Sequence, residues 1–192
     1  MGCVRLNPFD GPVKVYVKDI GETANTPVTD GVVDWDEWTD LGYKYQSDEG
    51  VQVEASSTIE LVQPMGFTGG VKRAVTGEAV TVTVSIKKTS VEDIARYGLP
   101  GATFTDRSEA EDPTVTTLGG AHCLAEFSLG LEGYSPDGGK VVMYFPRVTV
   151  SDSMSLQFRK GDTEAPFSFA ALSDETANEG AQIFTLWDIP LT

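Results

Sequence analysis

Residues 80–87 alternate without a break: Val80, Val82, Val84 and Ile86 are separated by Thr81, Thr83, Ser85 and Lys87. A period of two places the four β-branched aliphatic residues on one face of a strand and the polar residues on the other. On a helix the same residues would point to all sides, and β-branched side chains favour the extended form. The segment is therefore a strand whose apolar face requires a core. The pattern recurs at Val13, Val15 and Val17, set against Lys14, Tyr16 and Lys18. It recurs again over Val51–Val62, where Glu54 and Glu60 oppose Val53, Ile59 and Leu61. A chain built this way is expected to be mainly β, with most strands half-buried.

Other segments fit around these strands. Residues 1–12 read as an extended N-terminal arm and 187–192 as a short C-terminal tail of a single domain, 1–192. Tyr43–Gly50 reads as a long hairpin loop between two alternating stretches. Val71–Val75 and Val80–Lys87 read as a strand pair joined around Thr76-Gly77-Glu78. One short helix is expected. Ser90 stands as its N-cap with Asp93 three residues on, Val91, Ile94 and Tyr97 form an apolar stripe, and Gly98 and Pro100 end it. Gly101–Gly120 is acidic and reads as a surface loop. Ser135-Pro136-Asp137-Gly138-Gly139 is a turn between two strands, because Pro presets φ and Gly accepts a positive one. Leu156–Arg159, Phe167–Leu172 and Gln182–Trp187 supply the last strands.

Charge and residue inventory exclude more chemistry than they suggest. The 192 residues carry a net charge of -15, which opposes any grip on a phosphate backbone. No apolar run is long enough to span a membrane, and no basic-plus-apolar leader opens the chain. The start Met-Gly-Cys lacks the Ser or Thr of a myristoylation signal, because Leu6 stands there. Cys3 and Cys123 read as separated free thiols. His122, the only histidine, lies in an apolar stretch with no nucleophile motif around it, and zinc-ligand spacing is absent. Asp34, Asp36, Glu37 and Asp40 lack the spacing of a calcium loop. Carboxylate pairs beside Trp35 and Trp38 suggest a sugar platform, but many such pairs are expected in a chain with 29 acids, and the tryptophans read as core or interface anchors. No enzyme, metal or cofactor is expected.

The order of features carries one resemblance. The stretch "DWDEWTDLGYKYQSDEGVQVEASSTIELV" is followed by "VKRAVTGEAVTVTVSIKKTSVEDIARYGLP" and then by "KVVMYFPRVTVSDSMSLQFRKGDTEAPFSFAALSDE". A tryptophan strand, a Leu-Gly step and a long loop precede a Thr-Gly-Glu turn, an alternating strand and a Gly-ended helix. A Tyr-Phe-Pro strand, a Lys-Gly-Asp turn and a Pro-Phe-x-Phe strand come later. Over residues 30–175 this order resembles the major tail tube proteins of long-tailed, non-contractile bacteriophages.

The resemblance implies a β-sandwich or partial barrel of antiparallel strands with one short flanking α-helix. It implies hexameric rings stacked into a tube, assembled in the host cytoplasm and located in the virion tail, with no membrane insertion. The partners implied are further copies of the chain, a tape-measure protein in the lumen, tail terminator and distal tail proteins, and DNA that passes without specific binding. By alternation Glu54, Glu60, Thr81, Thr83 and Ser85 are lumen-facing candidates. Tyr43, Tyr45, Asp48, Glu49 and Trp187 are candidates for contacts between subunits or rings. Ser90, Asp93, Ile94 and Gly98 would cap and pack the helix. Six copies would carry a charge on the order of -90, a field that repels phosphate near the wall. The alternative function is a virion decoration or adhesion module of the same β-sandwich class.

Overall fold

The computed structural model describes residues 4–5, 13–20, 26–41, 46–62, 72–87, 93–98, 102–105, 115–118, 125–151, 157–158, 163–173 and 183–190. Its strands are β1 (Val4–Arg5), β2 (Lys14–Asp19), β3 (Val28–Thr29), β4 (Val32–Val33), β5 (Thr39–Asp40), β6 (Gln46–Val62) and β7 (Lys72–Lys87). They continue with β8 (Ala102–Thr105), β9 (Val115–Leu118), β10 (Glu126–Tyr134), β11 (Lys140–Val150), β12 (Gln157–Phe158), β13 (Thr163–Ala171) and β14 (Thr185–Ile189). The fold is mainly β, sandwich-like, and its strand pairs are antiparallel.

Ten strands form one sheet in the order β1-β6-β7-β13-β11-β10-β2-β5, with β12 on β13 and β14 on β11. The middle strand, β11, decides its shape. One edge of β11 runs along β10; the other is divided, Lys140–Tyr144 pairing with β14 and Val148–Val150 with β13. Between these contacts lies a bulge: two residue steps from Phe127 to Leu129 face three from Val148 to Phe145. Pro146, which has no N–H to give a ladder, sits inside the bulge, and its carbonyl accepts from the Ser128 hydroxyl at 2.8 Å. The sheet can therefore turn at β11 and close both arms on one core.

That core takes Val13, Val15 and Val17 from β2 and its approach, Phe127, Leu129 and Leu131 from β10, and Met143 and Phe145 from β11. From the other arm come Val53, Val80, Val82, Val84, Ile86, Ala165, Phe167 and Phe169. The alternation at 80–86 is thus realised: its apolar set is fully enclosed. Phe127 meets Tyr97 and Phe169 edge-on, with ring centroids 5.3 and 5.4 Å apart.

Several expectations change. β7 is one unbroken strand rather than two joined by a turn. Thr76-Gly77-Glu78 lies within it, beside a bulge where one step from Thr58 to Ile59 faces two from Gly77 to Val75. Residues 46–50 do not form a hairpin loop. They open β6, and five steps from Gln46 to Val51 face two from Ile86 to Val84. The strands flanking that segment do not pair either, because β5 pairs with β2 and β6 with β7 at opposite ends of the sheet order. Tyr43 and Tyr45 lie outside the described residues. The helix is one turn of π-helix, Ile94–Gly98, preceded by Asp93, and Ser90 lies outside the described residues. Tyr97 anchors this turn in the core, while Arg96 pairs with Asp19. Trp187 belongs to β14 rather than to a tail, and β8 pairs with β9 inside the segment read as a loop. The Ser135–Gly139 turn is as expected: the Gly138 amide donates to the Ser135 carbonyl at 2.9 Å, and Gly138 has φ 83°.

β13 covers β7 only from Val80 to Lys87. Beyond it, residues 56–62 and 72–79 pair with each other and, among the described residues, with no third strand. At 3.3 Å per residue this ribbon extends the hairpin by roughly 20 Å.

Two outcomes follow from the core. Phe127→Ala should cost about 3–5 kcal/mol in denaturant unfolding, because the cavity would open between Tyr97 and Phe169. Burial raises the Tyr97 pKa above its ordinary 10.0, with Arg96 opposing. Its stabilising contribution is then complete below pH 10 and is lost as pH climbs through the raised folded value. Tyr97→Phe should reduce the alkaline limb of a stability–pH profile, leaving the parts due to Tyr16, whose pKa burial also raises, and to Lys14, whose pKa burial lowers but Tyr16 and Glu132 together raise above its ordinary value.

Candidate functional face

The face of β6, β7 and β13 turned away from the core is built of short polar side chains. Cross-strand register sets Gln52 opposite Thr83 and Thr83 opposite Ser168. The Ser168 and Ser151 hydroxyls then share a hydrogen bond of 2.7 Å. The next row runs Glu54, Thr81, Ala170, Thr149. Thr149 donates to the Ala125 carbonyl at 3.2 Å, which satisfies a hydroxyl that is itself buried. Neither row contains an aromatic or long aliphatic side chain. The same alternation that fills the core therefore keeps this face low and polar.

Of the lumen-facing candidates, Glu54, Thr81, Thr83 and Ser85 share this face. Glu54 is exposed, Thr81 and Thr83 are half-buried, and Ser85 is buried. Glu60 is separated from them. It stands opposite Ala74 on the unsupported ribbon, six residues beyond Glu54. Asp48 and Glu49 belong to the irregular start of β6. Asp93, Ile94 and Gly98 lie at the π-helical turn, as described. His122, Cys3 and Cys123 lie outside the described residues.

Among the described side chains, several acids are exposed and the cations are engaged. Every lysine and arginine among them is held by a carboxylate. Lys18 contacts Glu37 at 2.6 Å and Arg147 contacts Glu126 at 2.6 Å. Arg96 pairs with Asp19, and Lys14 and Lys140 flank Glu132 at 3.8 and 3.7 Å. Glu132, between its two lysines, is buried; the exposed pairs add little stability. Their consequence is that the positive heads are already engaged, whereas Glu54, Glu78, Asp137 and Asp188 are exposed acids. No cluster of three or more metal-ligating side chains occurs among the described residues. Nor is any described helix long and apolar enough to cross a membrane.

The tryptophans belong to a different face. On the outside of β2, β10, β11 and β14, five rings touch in series: Tyr16 stacks on Trp35 at 4.2 Å, and Trp35 meets Trp38 edge-on at 5.1 Å. Tyr144 follows at 6.0 Å from Trp38, and Trp187 at 6.2 Å from Tyr144. The segment 26–41 is strapped over the sheet by this row. It starts with a tight hairpin, β3–β4, turned by Asp30 and Gly31 at φ 51° and 79°. It ends where the Leu41 amide donates to the Val15 carbonyl at 2.9 Å.

The strap has a polar anchor. The Trp35 indole N–H donates to Glu132 Oε2 at 2.6 Å, and the two flanking lysines balance the buried carboxylate. Trp35 and Trp38 therefore brace the fold. Trp187 is half-buried in the same row, on β14, which among the described residues pairs only with β11. Sequence reasoning missed Glu132, Gly130 and Ser168. For Ser168 the signal was present, since Phe167 and Phe169 point inward and their neighbours must point outward.

No model of a known protein family matches the chain, and no curated protein matches it in sequence.

The strap generates its own test. A Cβ on Gly130 would stand 2.4 Å from two carbons of the Trp35 ring. Gly130→Ala should displace the indole, cost about 1–3 kcal/mol and weaken the near-UV dichroism of the aromatic row. In a Trp35→Ala background the same change should cost much less, because the clash is gone.

Proposed function

We propose that this protein is a structural subunit that assembles into stacked hexameric rings, forming the tail tube of a long-tailed bacteriophage through which DNA passes. The order of motifs over residues 30–175 motivates that reading. The observation that carries it is the low polar face of β6, β7 and β13, where Gln52, Thr83 and Ser168 form one cross-strand row and Glu54 and Thr81 belong to the next. A conduit wall must be smooth, wetted and unable to hold phosphate. Short hydroxyl side chains satisfy the first two needs, and the net charge of -15 with the exposed Glu54 on this face favours the third. The projecting ribbon supports assembly, because a two-stranded hairpin gains stability by packing against something further.

The tape-measure protein would occupy the lumen before DNA does, and tail terminator and distal tail proteins would close the two ends. A decoration or adhesion module would not stack into tubes, so electron microscopy of concentrated protein separates the two functions: tubes are expected, and monomers at every concentration would overturn the proposal. Within assembled tubes, Glu54→Lys replaces -1 by +1 in each subunit. Tubes of the variant should retain duplex DNA at low salt and release it as salt rises, while unaltered tubes retain none. Equal retention by both would place Glu54 away from the bore.

A further inference from the structure

Among the described residues, β6 has a long strand edge that is mostly without a partner. One side of this strand runs along β7 for its whole length; on the other side, among the described residues, only β1 pairs with it, Val4 opposite Ala55 and Arg5 opposite Glu54. An open edge is a template for any other strand. Proteins usually blunt such edges with Pro, Lys or irregular geometry. Residues 46–62 contain no Pro, Lys or Arg. Irregularity is confined to two places, before Val51 and after Thr58. Between them lies a regular edge of eight residues, and β1 sits at its middle.

We propose that β1 is a removable guard of the β6 edge: it covers the edge in the monomer and must leave before that edge pairs with a strand of a second copy. Two features suit β1 to this work. Its pairing spans two residues, long enough to interrupt an incoming strand and too short to hold permanently. Its register also places Arg5, rather than a neutral residue, at the position opposite Glu54. The incoming partner is a second copy because the edge offers backbone groups along residues 51–58, among which Glu54 is the one charged residue, rather than a pocket or a charged groove. The proposal deepens the assembly reading by adding its regulation; it rests on that reading only for the final product.

Two variants test it by sedimentation velocity over a concentration series. Val4→Pro removes the β1 amide and should lower the concentration at which dimers or larger species appear by about tenfold or more. The second carries Val4→Cys and Ala55→Cys, with Cys3→Ser and Cys123→Ser to leave one possible bridge. Directly opposed residues of an antiparallel pair lie within disulfide reach. Oxidised, this protein should stay monomeric; reduced, it should associate as the unaltered chain does. Association that is the same oxidised and reduced overturns the guard, even if Val4→Pro aggregates through misfolding. So does weaker association of Val4→Pro, which would make β1 part of the intersubunit contact. If oxidation blocks strand-paired oligomers but no variant forms rings, the guard stands and the tube reading falls. If tubes form regardless of the lock, the tube reading stands and the guard falls.

Discussion

The division of one edge of β11 between two strands is the constraint on which the rest depends. β14 and β13 take successive stretches of that edge, and the bulge at Pro146 lies between them. The β13 arm then carries β7 and β6, while the β14 side stays with β10 and β2. Their apolar faces converge because both are continuous with β11. Without that turn, the valines of β2 and those of β7 would lie on one open sheet and half of them would meet water. Burial of these side chains is the dominant favourable term in such a fold. The geometry of a few backbone atoms at β11 therefore governs whether the patterning of distant strands is used.

What the sequence disclosed, and what it concealed, follows from the range of the interactions. The inward faces of β2, β7, β10 and β13 were legible because alternation is local and the core enforces it. The Ser135–Gly139 turn was legible because its φ requirements select residue types. The unbroken course of β7 was not. Thr76-Gly77-Glu78 has turn chemistry, but pairing with β6 on a bulged register keeps the chain extended. Nor was the passage from β5 to β6 legible, since adjacent strands usually pair and these two pair elsewhere. The brace was half-visible. Three tryptophans announce a packed surface, but the glycine beneath Trp35 and the carboxylate beside it come from β10, far away in sequence.

The molecule separates two tasks that one sheet commonly shares. On the β2, β10, β11 and β14 side, the outer face is spent on aromatic rings and a buried charge balanced by Lys14 and Lys140. On the β6, β7 and β13 side, the outer rows through Thr81 and Thr83 carry no aromatic or long aliphatic side chain. The first arrangement fixes the strap and so fixes β5 on β2. The second leaves a surface whose chemistry is set by hydroxyls and by Glu54. Stiffness and surface character are thereby assigned to different strands, and β11 belongs to both.

All three tryptophans of the chain stand in the row that holds the strap. Intrinsic fluorescence excited at the indole band is therefore a probe of one side of this protein. Quenching, emission maximum and anisotropy will follow the strap and β14, and will be nearly blind to the ribbon of β6 and β7. A signal from that other side needs a reporter introduced there, and a difference between the two would resolve events that a single bulk curve merges.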